Sequence, residues 1–277
     1  MNIAVLSGKG GTGKTTVSTN LAIAMNANYI DCDVEEPNGF IFLKPDNIKK
    51  RDVLTEYPFI VEEKCSLCGK CVNACQFNAL AKVKEDIILF EKICHSCGAC
   101  EVACDKDAIT FKKRKVGIVE EGNYKNLKCV RGLLDIGEPM AVPVIRNVLD
   151  SIPEGTNIVD CSPGTSCNVV NSLKYVDGAV LVTEPTKFGL HDLNMAVQLV
   201  KKFNIPFGIV INKSNSDEKN EVIDYCMENN IKILAHIPYS KDVAKIYSRG
   251  HMLYDTEKYK NMFDKIVFDI KEVLPWK

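Results

Sequence analysis

The sequence predicts an α/β fold: a mostly parallel sheet with helices on both faces, interrupted by a small inserted module. Three observations predict it. Short apolar runs of strand length alternate with helix-compatible stretches near both ends of the chain. A glycine-rich loop separates the first run from the first helix. Eight of the 13 cysteines lie between Cys65 and Cys104, while Cys32, Cys129, Cys161, Cys167 and Cys226 are scattered.

Ile3–Ser7 has the continuous apolar character of a strand buried on both faces. Thr15–Asn26 is helix-compatible, and Asn28–Asp33 reads as the second strand. Further on, Asn157–Asp160, Gly178–Thr183, Pro206–Asn212 and Ile231–Ile237 read as strands. Cys167–Lys174, Leu190–Phe203, Glu218–Asn229 and Ser240–Arg249 read as the helices between and after them. Such alternation builds βαβ units, whose ligands sit beyond the carboxyl ends of the strands. Near the C-terminus, Tyr259, Met262, Phe263, Ile266, Val267, Ile270, Val273 and Leu274 form one helical stripe. Its opposite face mixes acids and lysines, whereas a membrane-surface helix is distinctly basic there. This helix is therefore expected on the sheet rather than on a membrane.

Gly8-Lys9-Gly10-Gly11-Thr12-Gly13-Lys14-Thr15 fits the phosphate-loop pattern, directly after a strand and before a helix. Glycines let the backbone N–H groups turn toward phosphate oxygens, and the helix N-terminus adds favourable partial charge. Lys14 is placed to reach the β- and γ-phosphates, and the Thr15 hydroxyl to ligand Mg²⁺.

The same segment, extended to Thr16, resembles the deviant Walker A motif of the MinD/ParA-type P-loop ATPases. The resemblance covers about residues 1–57 and 117–277 and implies a P-loop NTPase fold binding ATP or ADP with Mg²⁺ through Gly8–Thr16. It implies a head-to-head homodimer sandwiching ATP, in which Lys9 reaches the other subunit's nucleotide. Asp33 resembles the switch I aspartate that orients the attacking water. Asp160 resembles the Walker B aspartate that supports Mg²⁺ through water. Pro163-Gly164 resembles switch II, where a backbone N–H senses the γ-phosphate. Asn212 resembles the asparagine that reads the adenine amino group. Catalysis would then rest on Lys9, Lys14, Asp33 and Asp160.

The cysteine cluster is a duplication. Cys65-x₂-Cys68-x₂-Cys71-x₃-Cys75 recurs 29 residues later as Cys94-x₂-Cys97-x₂-Cys100-x₃-Cys104, with Gly69 matching Gly98 and Ala79 matching Ala108. In two-cluster ferredoxins the fourth cysteine of each run ligates the other cluster. Cys65, Cys68, Cys71 and Cys104 are therefore expected to hold one [4Fe–4S] cluster, and Cys94, Cys97, Cys100 and Cys75 the second. Zinc is the competing reading, although its paired motifs use longer gaps. Gln76 and Asp105 stand where a proline usually follows the fourth cysteine. The insert is expected to span 58–116 as an α+β two-cluster ferredoxin domain, with 1–57 and 117–277 forming the ATPase domain. Its hydrophobic core would be small, so the clusters must hold it together.

The remaining features carry weaker expectations. Cys167 follows Asp160 by seven residues, and the nitrogenase iron protein has a cluster-ligating cysteine in a similar place. It is expected either to face its symmetry mate around a third cluster or, more simply, to be a small buried residue. Lys112-Lys113-Arg114-Lys115 suits either an acidic redox partner or a solvated edge strand.

Composition bounds the partners. With 35 Lys+Arg against 36 Asp+Glu, the chain lacks the basic surplus of a nucleic-acid binder. No signal-peptide pattern opens it, so a cytoplasmic location is expected, where clustered thiols are metal ligands rather than disulfides. The functional expectation is an ATPase whose nucleotide state gates electron delivery through two clusters to a redox partner. The alternatives are an iron–sulfur cluster carrier serving a cluster-accepting protein and a MinD/ParA-like spatial regulator.

Overall fold

In the computed structural model, which describes residues 1–214 and 220–274, the elements alternate as expected. In chain order they are β1 (Asn2–Leu6), α1 (Lys14–Ala24), β2 (Asn28–Asp31), α2 (Gly39–Leu43) and β3 (Asp46–Ile60). The cysteine region adds α3 (Lys70–Ala74), β4 (Leu80–Val83), β5 (Asp86–Leu89) and α4 (Ala99–Val102). Then come β6 (Ile109–Tyr124), β7 (Leu127–Leu134), α5 (Val142–Leu149), β8 (Asn157–Asp160), α6 (Cys167–Leu173), β9 (Gly178–Thr183) and α7 (Lys187–Lys202). The chain closes with β10 (Phe207–Asn212), α8 (Glu221–Glu228), β11 (Ile233–Ile237), α9 (Lys241–Ser248) and α10 (Glu257–Val273). The expected start of α8, Glu218, lies outside the described residues.

Nine strands form one sheet in the order β11-β10-β9-β1-β8-β2-β7-β6-β3. The first seven in that order are parallel, and β6 runs antiparallel to both β7 and β3. Apolar cores cover both faces. One packs α5, α6, α7 and α8 residues such as Val144, Leu173, Val197 and Val222 against the sheet. The other packs α1 and α10 through Val17, Leu21, Phe263, Ile266 and Ile270. The apolar stripe of α10 is thus consumed on the sheet. Among the described residues no helix is long and apolar enough to cross a membrane.

β3, β6, β7 and α5 were not expected. β3 and β6 are 15 and 16 residues long and pair from Asp46↔Asn123 to Ile60↔Ile109. They run unbroken past both positions 57/58 and 116/117. Their outer half is a two-stranded ribbon, because β7 reaches only as far as Gly117. Burial alternates along it, with Val53, Thr55, Pro58 and Ile109 buried and Leu54, Glu56, Phe59 and Thr110 exposed, but the apolar Leu54 and Phe59 on the exposed side mask that period in the sequence. Lys112–Lys115 lies in this ribbon, beyond the reach of β7, so there β6 is an edge strand as β3 is. The basic run finds partners within the chain: Lys113–Glu56 at 3.8 Å, Lys115–Asp52 at 3.0 Å, Arg114 with Glu138, and Lys112 over the Phe59 ring. Little of its charge is left for an acidic partner.

The ribbon carries a lobe in which the 29-residue repeat is written into the backbone. Left-handed residues recur at that interval: Leu67 and Ser96, Gly69 and Gly98, Asn78 and Asp107. Three-residue 3₁₀ turns at Glu62–Lys64 and Glu91–Ile93 precede the cysteines in each half. The lobe's buried core consists of Cys71, Leu80, Ile87, Cys100 and Ile109.

Candidate functional site

At the carboxyl ends of β1, β2, β8 and β10 the chain opens a cleft of about 530 Å³, a size suited to a nucleotide. Its floor is the glycine loop. Gly13 has φ +90°, and a side chain there would meet the Asn212 amide nitrogen at 2.1 Å. Gly8 packs so closely on α7 that a Cβ would lie 2.1 Å from the Asp192 carbonyl oxygen. The loop therefore tolerates only glycine at both points.

Lys14, at the first position of α1, donates to Asp160 Oδ1 at 2.5 Å and lies 3.6 Å from Asp33. Asp160 is fully buried and its Oδ2 accepts from Ser18 Oγ and Tyr29 OH, each at 2.8 Å. Burial works against the Lys14 charge, yet Asp160, Asp33 and Asp31 outweigh it and hold the ammonium above the ordinary lysine value. Asp33 is raised to about 6 by burial, with Lys14 opposing and Asp160 adding.

Two residues of this site were missed in the sequence. Asp31 is fully buried, accepts from the Asp33 and Gly39 N–H groups at 3.1 and 3.2 Å, and is pushed up to about 7 by burial and by Asp160. Tyr29 stands between the two acids, 3.2 Å from Asp31. The strand of sequence NYID puts one acid, Asp31, in alternation with Asp33, but nothing local says that Asp160 lies beside them.

Several expected residues are engaged with their own chain. Asn212 Nδ2 donates to the Thr12 carbonyl at 2.7 Å and its Oδ1 accepts from the Lys213 N–H at 2.9 Å. In this structure it buttresses the loop instead of presenting its amide to a base. The Gly164 N–H, expected to sense a γ-phosphate, donates to the Ser7 carbonyl at 2.8 Å. Lys9 lies 3.7 Å from Glu184, which also holds Lys213 at 2.6 Å. Lys213 in turn reaches the Gly11 carbonyl at 3.1 Å. Thr15 and Thr16 line the cleft, as do Gly10 and Gly11.

In the lobe, Cys65, Cys68, Cys71 and Cys104 line one hollow, and Cys75, Cys94, Cys97 and Cys100 line the other. The Ala79 N–H points at Cys75 Sγ (3.2 Å) and the Ala108 N–H at Cys104 Sγ (3.4 Å). Among the described residues no three Cys, His, Asp or Glu side chains converge closely enough for a single metal ion. The second hollow faces the sheet: Ser96 bonds Thr55 and the Glu56 carbonyl, and Lys92 donates to the Gly137 carbonyl at 3.3 Å. Cys167 is exposed at the first position of α6, so the expectation of a small buried residue fails. Cys32, Cys129, Cys161 and Cys226 are buried.

The model of the CobQ/CobB/MinD/ParA nucleotide binding domain matches residues 3–253. An uncharacterized protein of Methanocaldococcus jannaschii is 35% identical over 275 residues, 96% of each chain. An iron-sulfur cluster carrier protein of Aquifex aeolicus is 25% identical over 90% of this chain and 60% of its own length. Among solved structures, the septum site-determining protein MinD complexed with Mg-ADP from Pyrococcus horikoshii matches with a TM-score of 0.61. That match has 17% identity over 98% of this chain and 96% of that one, so it concerns the fold.

Proposed function

The chain belongs to the CobQ/CobB/MinD/ParA nucleotide-binding family of P-loop ATPases, and from that premise we propose an ATPase whose nucleotide state governs electron transfer through two [4Fe–4S] clusters to a redox partner protein. The observation that carries this reading is the pair of four-thiol hollows on a ribbon continuous with the nucleotide-binding sheet. Residues 58–116 would form the cluster-bearing unit, and residues 1–57 with 117–277 the nucleotide-binding unit.

The thiols suit such clusters. In a cubane each thiolate binds a different iron, so four cysteines ring a hollow, whereas one zinc ion draws four sulfurs to about 2.3 Å. The donor set is all sulfur, and backbone N–H groups point at Cys75 and Cys104. Cys65, Cys68, Cys71 and Cys104 would hold one cluster and Cys94, Cys97, Cys100 and Cys75 the other. When bound, the clusters supply one-electron chemistry.

At the other site, Gly8–Thr16 would wrap the phosphates of ATP with backbone N–H groups, and the Thr15 hydroxyl would ligand Mg²⁺. Lys14 would leave Asp160 for the β- and γ-phosphates, freeing an Asp160 oxygen for a magnesium-bound water. Asp33, at the cleft wall 3.6 Å from Lys14, would orient the attacking water. The Gly164 N–H would exchange the Ser7 carbonyl for the γ-phosphate. Lys9 would leave Glu184 and reach the nucleotide of a second copy, completing a homodimer across two ATP molecules.

A second reading is favoured by one observation, the similarity to a protein named as an iron-sulfur cluster carrier. Anaerobic purification, iron quantitation, electron paramagnetic resonance with and without ATP, and transfer to an apo-acceptor test both. About eight irons per chain and a spectrum or midpoint potential that moves with ATP support gated electron transfer. Ready donation of clusters with a nucleotide-insensitive spectrum replaces it with the carrier.

A further inference from the structure

One row of charged residues crosses the sheet from the nucleotide site to the lobe's ribbon. Asp160 of β8 is in register with Asp31 of β2, Asp31 with Arg131 of β7, Arg131 with Glu120 of β6, and Glu120 with Lys50 of β3. Register partners point to the same face of a sheet, so these five side chains lie side by side. Lys14 caps the row at one end, on Asp160. At the other end Glu120, only 2% exposed, accepts from Arg131 Nε at 2.7 Å and pairs with Lys50 at 2.7 Å.

The helix after the first switch segment is pinned to the middle of this row twice. The Gly39 N–H that opens α2 donates to Asp31. Phe40, the next residue, lies under the Arg131 guanidinium, 4.4 Å from ring centroid to Cζ. Asp33 to Asn38 is therefore a short segment tethered at both ends to Asp31 and Arg131. If nucleotide draws Lys14 away from Asp160, the charge balance at the head of the row changes. The segment nearest this change is Asp33–Asn38, exposed at Glu35, Glu36 and Asn38, while Phe40, Phe42 and Leu43 root α2 in the core, so a shift of the segment is passed to α2 as a whole.

We propose that Arg131 is the positioning residue that transmits nucleotide occupancy to the β3–β6 ribbon, by holding α2 through Phe40 and the ribbon root through Glu120. The proposal rests on the nucleotide-dependent reading of this site but needs no cluster to be gated. A lysine at 131 keeps a cation for Glu120 and loses the planar group that lies on Phe40. Phe40→Leu removes the ring and leaves the Arg131–Glu120 pair.

The test is hydrogen–deuterium exchange of the full iron-loaded protein with and without Mg²⁺–AMPPNP, alongside its paramagnetic resonance spectrum. In the parent, exchange in 46–60 and 109–124 should slow about fivefold or more on adding nucleotide, the low end of ordinary coupling between sites. Arg131→Lys and Phe40→Leu should keep their iron and bind nucleotide, with the ribbon response largely gone. A ribbon response equal to the parent's in both variants, or none in a parent that binds nucleotide, overturns the proposal. A ribbon response with a nucleotide-insensitive spectrum leaves the proposal standing and overturns gated electron transfer instead.

Discussion

The nucleotide-binding sheet and the cysteine lobe are stabilised by different means. The sheet is sealed on both faces by apolar cores, and its strands β1, β8 and β9 are almost wholly buried. The lobe's apolar cluster has only five buried members, two of them cysteines, beside hollows lined by eight thiols. A unit that small needs a staple, and metal binding is then folding free energy. The difference teaches that the two functions can fail separately: one region stands without its ligand and the other should not.

The largest expected effect comes from stripping iron. Chelation under reducing conditions should remove exchange protection across Val61–Ala108 while leaving β1, β8 and β9 protected and nucleotide binding intact. A stripped lobe as protected as the loaded one would break the comparison. Next, Lys14→Ala should weaken Mg²⁺–ATP binding by on the order of 100-fold or more, since it removes the buried cation at the glycine loop that would meet the phosphates. Iron should stay at its parental value, as measured by titration calorimetry beside iron quantitation.

A smaller effect should appear with pH in the nucleotide-free protein. Asp31 and Asp33 have folded values of about 7 and about 6, above the ordinary 3.8. The folded state thus holds more protons than the unfolded chain between these values, so stability should fall as pH rises from about 4 to 7. The loss should show as a falling melting temperature of the sheet, and Asp31→Asn should flatten it. The smallest effect sharpens the repeat. Gly98 has φ +74° with open space around its Cβ position, so Gly98→Ala should cost about 1 kcal/mol of backbone strain alone. Gly8→Ala, which drives a methyl into the Asp192 carbonyl, should cost several times more in denaturant titration.

Much of this was legible because it is local. A phosphate loop is written in eight consecutive residues, and the crossed partition of cysteines into two sets of four is what the resemblance of their runs to two-cluster ferredoxins implies. The apolar runs of β8 and β9 match the expected bounds residue for residue. The ribbon was illegible as a pair of long strands, because its exposed side carries the apolar Leu54 and Phe59 and its buried side the polar Thr55, so burial alternates where hydropathy does not. Lys112–Lys115, read as an edge strand, does lie on an edge beyond β7. Asn212, Gly164 and Lys9 could be placed near the nucleotide from their motifs. Motifs say nothing of Thr12, Ser7 and Glu184, which occupy them in this structure.

By itself, then, the sequence determined the βα elements around the nucleotide site, the glycine loop and the cysteine repeat, since each depends on residues close together in the chain. Only the tertiary structure decided which charges are neighbours. Asp160, Asp31, Arg131, Glu120 and Lys50 lie up to 129 residues apart in the chain and share one row because five strands pair in one register. Register is a property of the assembled sheet, set by burial on both faces, and no local pattern encodes it.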